Sequence, residues 1–417
     1  MIDWFLLVFL FFFASYFLVE IGLDLLNISY VRKHSGYIPE LFHGIYSYED
    51  YLKSIKYTEA KTNFRLITLV IQGAFLLLLI FGKFFGRLDI LFKEFLPNSL
   101  FIRAVLYPFA VALVFYIISF PQKIYFQFVI EEKFGFNRMD KKTFLLDQIK
   151  TLFLTILFGL PLIAILLYIM DMAKNWWWIL GASLVMGFNI FIAAIYPVFL
   201  APLFNKFTPL SEGTLKDRIE SLAKKVGFKM AGIFVIDGSK RSSHSNAFFA
   251  GMGSMRRIVL FDTLINKHSE DEILAVIAHE MGHNVKRHIE RTLAISFVMT
   301  LGLFYLLSLC LKWPLFFSTL GAYEPSDHVG LVLFFVFSSI FMFPVTPIFT
   351  ALSRKHEFEA DEFSIEVTKE KQSLINALVK LTKENLGNLT PHKLYSAYHY
   401  SHPTTIERVR AIEEHKI

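Results

Sequence analysis

Two histidines four residues apart, with a glutamate directly after the first, are where this chain has chemistry to offer. The segment LAVIAHEMGHNVKRH (274–288) sets His279, Glu280 and His283 in an H-E-x-x-H pattern. On a helix, residues four apart stack on one face, so the two imidazoles can share one Zn²⁺ while Glu280 projects beside an open coordination position. The helix carries its own start signal. Ser269 stands at the N-cap with Glu272 three residues on, a capping box, and Ile273, Leu274, Ile277 and Met281 recur at helical spacing.

A catalytic zinc needs a third protein ligand, and SRKHEFEADEF (353–363) offers one. Glu357 and Asp361 are four apart on one helix face, while Glu359 points roughly 160° away. Glu357 can ligate the metal, and Asp361 can accept from the second nitrogen of a metal-bound histidine. Peptide hydrolysis also needs an activated water and donors for the developing oxyanion. Glu280 is placed to take the proton from the water and pass it to the leaving amine. Asn246, in SHSNAFF, can grip a substrate backbone from a strand edge, and His402, in YHYSHPTTIER, can donate to the oxyanion.

These residues must be positioned by an unusually apolar chain. Of 417 residues, 54% are hydrophobic, and 47 are Phe; mean hydropathy is +0.48. That is more than a soluble domain carries and indicates a membrane protein. A bilayer crossing needs about 20 apolar residues, and seven stretches qualify: 2–23, 66–86, 102–120, 151–170, 176–200, 292–311 and 329–352. The first lacks the basic start and small-residue cleavage site of a signal peptide, so it reads as a retained helix. Cys310 is the single cysteine, which excludes a disulfide framework and a Cys-based zinc site. A net charge of +6 does not require nucleic acid, since Lys and Arg in cytoplasmic loops account for it.

The basic residues also orient the chain. The 121–150 loop and the segments 201–291 and 353–417 are rich in Lys and Arg, whereas the connectors 171–175 and 312–328 carry one Lys each. The positive-inside bias then puts the catalytic residues on the cytoplasmic side. Two crossings separate His283 from Glu357, so both emerge on one face of the membrane. Four regions follow: 1–204 with five membrane helices and their loops, 205–291 as a catalytic insert, 292–352 with two more membrane helices, and 353–417 completing the catalytic domain. In the insert, 214–228 reads as a helix stopped at Gly227, and 231–237, 245–251 and 255–264 read as strands of a small sheet.

The segments IAHEMGH, SRKHEFEAD, GSKRSSHSNAFFAG, RRIVLFDTLI, PLFNKFTPL and SAYHYSHPTTIERVRAI together resemble the type I CAAX prenyl protease family. The resemblance is close from about Pro197 to Ile412 and looser over the N-terminal spans, where EEKFGFN (131–137) also matches. It implies a hollow barrel of seven membrane helices around a water-filled chamber, capped by a mostly α zinc metalloprotease domain with a small β-sheet. It implies one Zn²⁺ on His279, His283 and Glu357, with Glu280 as base and Asn246 and His402 against the substrate. Arg408, in IERVRAI, matches a family arginine near the site. The implied reaction removes the terminal aaX tripeptide of a prenylated protein, with a second upstream cut in some members. The implied setting is a multi-pass protein of the endoplasmic reticulum or nuclear envelope in a eukaryote, or of the inner membrane in a bacterium.

Two other readings use the same residues: a membrane quality-control protease of the related heat-shock type, and a non-enzymatic receptor or transporter with a structural zinc. The last would need a fourth protein ligand and no glutamate beside the first histidine. Glu20 and Asp24 fit either a water-filled chamber or an interfacial helix end. His34, His43 and His268 read as surface residues, and His244 lies near the substrate strand.

Overall fold

The computed structural model describes residues 3–251 and 256–416. Ile2 of the first expected span, Met255 of the expected strand 255–264 and Ile417 lie outside the described residues.

The apolar runs form long helices whose starts are set by polar caps. The first, Trp4–Lys33, begins where the Asp3 carboxylate accepts from the Leu6 N–H at 3.0 Å. The second, Tyr48–Phe81, begins where Ser47 accepts from the Asp50 N–H at 3.0 Å. The third, Leu100–Tyr125, continues through a π turn, Phe126–Glu131, and stops beyond Phe134 at Gly135, whose φ of 84° favours glycine.

Among the described residues six continuous helical stretches are long and apolar enough to cross a membrane, one fewer than the seven apolar runs. The difference lies in Lys141–Leu203. There the expected fourth and fifth spans form one stretch, because only a tight turn, Lys174–Trp176, separates Lys141–Ala173 from Trp177–Ile195. Lys174 takes a φ of 45°, and the two helices pack on each other. The last stretch, Asp327–Thr368, is interrupted around Pro344 by the turn Phe343–Val345, since proline cannot complete the helical ladder. Beyond it, Thr346–Thr368 carries Glu357 out of the apolar region.

Large apolar side chains such as Leu18, Leu78, Val298 and Ile348 point outward from these helices, as lipid contact demands. Inward, Phe9, Phe85, Tyr107, Phe304, Phe317 and Phe337 are fully buried and lock the helices together. A separate core, including Ile219, Ile258, Leu260, Leu264, Ile277 and Met281, joins the polar insert to the H-E-x-x-H helix. Each such side chain contributes roughly 1.5–3 kcal/mol by leaving water.

The insert holds a four-stranded sheet: β1 (Phe207–Pro209), β2 (Gly232–Ile236), β3 (Ala247–Ala250) and β4 (Arg257–Phe261). The order is β1-β2-β4-β3, with β2 and β4 parallel and both outer strands antiparallel, so β3 is an edge. The expected helix spans Thr214–Lys225, and Gly227 beyond it takes a φ of 68°.

The fold bears on three polar residues. Of the two readings of Glu20 and Asp24, the helix end does not hold, since the helix continues to Lys33; both are buried and accept from Arg65, a residue of the cavity wall, at 2.6 and 2.8 Å. His268 is not a surface residue. Its ring is enclosed between Glu272 (3.3 Å) and Glu384 (3.6 Å), because the helix Gln372–Glu384 folds over the start of the H-E-x-x-H helix.

Candidate metal centre and active site

The centre is built where two helices cross at very short range. The capping box starts the first, Glu270–Val285: Glu272 Oε2 accepts from the Ser269 N–H at 2.9 Å, and Ser269 Oγ from the Glu272 N–H at 3.3 Å. The second is Thr346–Thr368. Ala275, Ala278 and Gly282 on one face Ala360 and Ser364 on the other, all deeply buried, and Ser364 Oγ donates to the Ala275 carbonyl at 2.8 Å. A Cβ on Gly282 would stand 3.1 Å from the Ala360 Cα, so only glycine admits this approach without displacement.

The crossing brings three side chains to one point. His279 Nε2 and His283 Nε2 are 3.3 Å apart. Glu357 reaches them with Oε2 3.4 Å from His279 and Oε1 3.3 Å from His283. Ligand atoms from all three lie within 4.8 Å of one another.

Hydrogen bonding behind the rings fixes which nitrogens face this point. Asp361 Oδ1 accepts from His279 Nδ1 at 2.8 Å, leaving the Nε2 lone pair facing Glu357. Arg408 holds Asp361 in place, donating through Nε at 2.8 Å and Nη2 at 2.5 Å. On the other side, Glu359 Oε2 lies 2.9 Å from His288 Nε2, so that nitrogen carries the proton. His288 Nδ1 then accepts from His283 Nδ1 at 3.0 Å, and His283 Nε2 also presents a lone pair. With both rings neutral, two lone pairs and a carboxylate thus converge, and among the described residues the buried Glu357 Oε2 has no hydrogen-bond donor. Such a donor set fits a cation. Among the described residues it has three members, which leaves a coordination position open as in catalytic zinc sites and unlike closed structural ones.

Glu280 stands next to His279 and makes no hydrogen bond or ion pair among the described residues. Burial holds its carboxyl above the ordinary carboxylate range, although the neighbouring His279 and His283 oppose this. For His279 itself, burial and the Arg408 charge favour the neutral ring. Without a metal, its interactions with Asp361 and Glu357 outweigh them: its pKa is raised to about 9, and Nε2 carries a proton that a metal would displace.

His402 comes close: its Nε2 is 3.4 Å from Glu357 Oε1, while its ring faces a cavity of about 840 Å³. The loop carrying it is pinned at both ends. Arg354, one turn before Glu357, donates from one nitrogen to the carbonyls of Ala397 (2.7 Å), Tyr400 (3.2 Å) and Ser396 (3.3 Å). After His402, a second capping box, Thr404 with Glu407, starts the helix Thr405–Glu414 that carries Arg408. Arg408 Nη1 lies 3.6 Å from Glu357 Oε2.

Asn246 makes no side-chain hydrogen bond to this cluster among the described residues. It is exposed at the start of edge strand β3, with its Oδ1 accepting from the Ala247 N–H at 2.8 Å. His244 is part of the scaffold: it stacks on Phe136 at 3.9 Å and reaches Asn385 (2.8 Å) and Glu131 (3.3 Å). The sequence reading missed His288 as a partner of His283, the use of Glu359 and the clamp by Arg354. The local signal was present in NVKRH, which puts His288 at the start of the next membrane helix, His288–Cys310. The identity of its partner, 71 residues away, was not in the local pattern.

Comparison with known proteins agrees with this geometry. The profile of "CAAX prenyl protease N-terminal, five membrane helices" matches residues 27–206, and that of "Peptidase family M48" matches 209–416. The chain is 35% identical to the CAAX prenyl protease 1 homolog of Dictyostelium discoideum, over 96% of this chain and 97% of that protein. It is 41% identical to CAAX prenyl protease 1 of Saccharomyces cerevisiae, over 71% and 69% of the two. The crystal structure of S. mikatae Ste24p superposes with a TM-score of 0.90 at 34% identity, covering 98% of each chain. The chain is therefore a multi-pass membrane metallopeptidase that belongs to family M48, in its CAAX prenyl protease branch.

Proposed function

We propose that this chain is a zinc endopeptidase that cuts prenylated CAAX-type proteins near their C-terminus, removing the aaX tripeptide. The observation that carries this is the three-ligand centre with one position open, set beside an unpartnered Glu280 and a large cavity. His279, His283 and Glu357 would hold the metal, which supplies Lewis acidity when bound. Asp361 and His288 hold the two ring tautomers, and Arg408 holds Asp361.

Glu280 takes the proton from the attacking water and delivers it to the leaving amine; its raised affinity for protons suits both steps. His402, and Arg408 behind it, donate to the developing oxyanion. Edge strand β3 offers unpaired backbone groups along which an extended peptide can lie, with Asn246 at its start. The catalytic unit in this reading comprises residues 205–291 and 353–417, and its rich Lys and Arg content supports a cytoplasmic setting.

The test is cleavage of a farnesylated CAAX peptide and its non-prenylated twin by the purified, membrane-reconstituted chain. The prenylated peptide should be cut preferentially, and Glu280→Gln should lower kcat by about 10²–10⁴-fold while retaining the metal. Equal cutting of both peptides would move the assignment to a quality-control protease. Activity persisting in Glu280→Gln would remove the mechanism.

A further inference from the structure

The cavity beside the centre has one-sided chemistry. It is about 840 Å³, begins at His402 and Arg408, and has no Asp or Glu among the residues lining it. Three cations reach its wall: Lys61, Arg65 and Arg408. Arg65 is matched by Glu20 and Asp24, and Arg408 by Asp361. Lys61 makes no ion pair among the described residues; its ammonium rests 4.7 Å from the centroid of the Tyr57 ring. The nearby Glu131 is engaged elsewhere, by the Tyr57 hydroxyl at 2.6 Å and by His244 at 3.3 Å.

Two amides that line the same cavity have Nδ2 groups with no hydrogen-bond acceptor among the described residues. Asn27 Oδ1 accepts from the His392 N–H at 3.0 Å and Asn388 Oδ1 from the Thr390 N–H at 3.1 Å, which fixes both amide orientations. Both Nδ2 groups are buried and, among the described residues, make no hydrogen bond, although the Tyr400 hydroxyl is close to that of Asn388; this is a costly condition that a protein seldom tolerates without a use. The pairing of Arg65 with Asp24 sets the antiparallel register of the first two helices. One turn on, about 5.4 Å along each helix, Lys61 comes level with Asn27. An ammonium and two oriented N–H donors, in a wall free of carboxylates, match a ligand that only accepts.

We propose that Lys61, Asn27 and Asn388 bind the free α-carboxylate at the substrate's C-terminus. This rests on the cleavage reading above. A bond cut three residues from the chain end leaves that carboxylate within roughly 10 Å of the scissile carbon, at about 3.3–3.6 Å per extended residue. An anion site in a cavity that adjoins Glu357 through His402 and Arg408 therefore measures the cut from the terminus. It also explains how a protease with an open cavity places the tripeptide-releasing cut at a chain end.

The experiment compares one farnesylated peptide as the free acid and as the C-terminal amide. Turnover is measured with the reconstituted full chain, and binding with its Glu280→Gln variant. The acid should be preferred by roughly tenfold to a hundredfold in kcat/KM and in affinity, the range of a charge-assisted hydrogen bond. Lys61→Met should bring the acid-to-amide ratio towards one, Lys61→Arg should preserve it, and Asn388→Asp should penalise the acid most. Equal cutting of acid and amide by the wild type would overturn the carboxylate site while leaving the protease activity standing. Equal losses for both peptides in Lys61→Met would also overturn it, assigning the lysine a structural role. Failure to cut either peptide, with the binding preference intact, would overturn the proposed activity and support the anion site.

Discussion

Gly282→Ala tests whether the helix crossing sets the metal geometry. The added Cβ would sit 3.1 Å from the Ala360 Cα and from Phe363 Cδ1, and 3.2 Å from the Ala360 carbonyl oxygen. Ordinary contact begins at 3.4 Å, so the helices must separate by a few tenths of an ångström. Overpacking of this kind costs about 1–3 kcal/mol, while replacing a mid-helix glycine by alanine returns about 1 kcal/mol. The net destabilisation is therefore about 0–2 kcal/mol, too small to unfold the protein. Ligand distances, however, tolerate only about ±0.2 Å. Gly282 lies between His279 and His283, directly opposite the helix of Glu357, so the displacement falls on the ligand separations themselves. The expected result is a modest fall in Tm with metal affinity reduced about 10–100-fold, a loss comparable to that from removing a group that orients a metal ligand. Gly302→Ala, a mid-helix position where nothing lies within 4 Å, is the control: it should leave metal affinity unchanged and should not lower Tm. Metal affinity in Gly282→Ala equal to wild type, measured by competition with a chelating dye, would falsify the geometric argument.

The same centre makes two further predictions. Replacing His288 with Phe removes the acceptor that holds His283, and metal affinity should fall about 10–100-fold, with Glu359→Gln losing less because it keeps an acceptor; unchanged affinity in His288→Phe would show that the ring does not orient His283. His279 in the chelated, metal-free protein has a pKa raised from 6.5 to about 9, so its proton stabilises that form fully below 6.5, and the contribution is lost as pH rises through about 9. A metal must displace this proton, so apparent affinity and metal-induced gain in Tm should rise with pH up to about 9, near tenfold in affinity per unit. A flat profile in calorimetry between those limits would refute the proton competition.

Both patterns that organise the chain are local, and both were legible. The capping box and the four-residue spacing of His279 and His283 depend on one helix alone, and the short apolar runs that mark β2 and β4 are equally local. The apolar runs are read from composition over about 20 residues. The two counts, seven runs and six stretches, differ only where a three-residue turn joins into one stretch two helices that composition parts. His268, by contrast, was misread: it is a polar residue in a polar segment, and only the folding of Gln372–Glu384 over it made it buried.

What the sequence determined by itself is which residues can ligate, which helix face presents them and how many crossings separate them, because each is a property of short-range periodicity. Tertiary structure decided what surrounds them. Asp361 meets Arg408 across 47 residues, Glu359 meets His288 across 71, and Asn27 meets the backbone of His392 across 365. It also placed β3 at the sheet edge and kept every carboxylate off the wall that Lys61 faces. Such pairings exist only where side chains remote in the chain share a space too dry to leave a charge or a donor unmatched, and that space is made by the packing of whole helices.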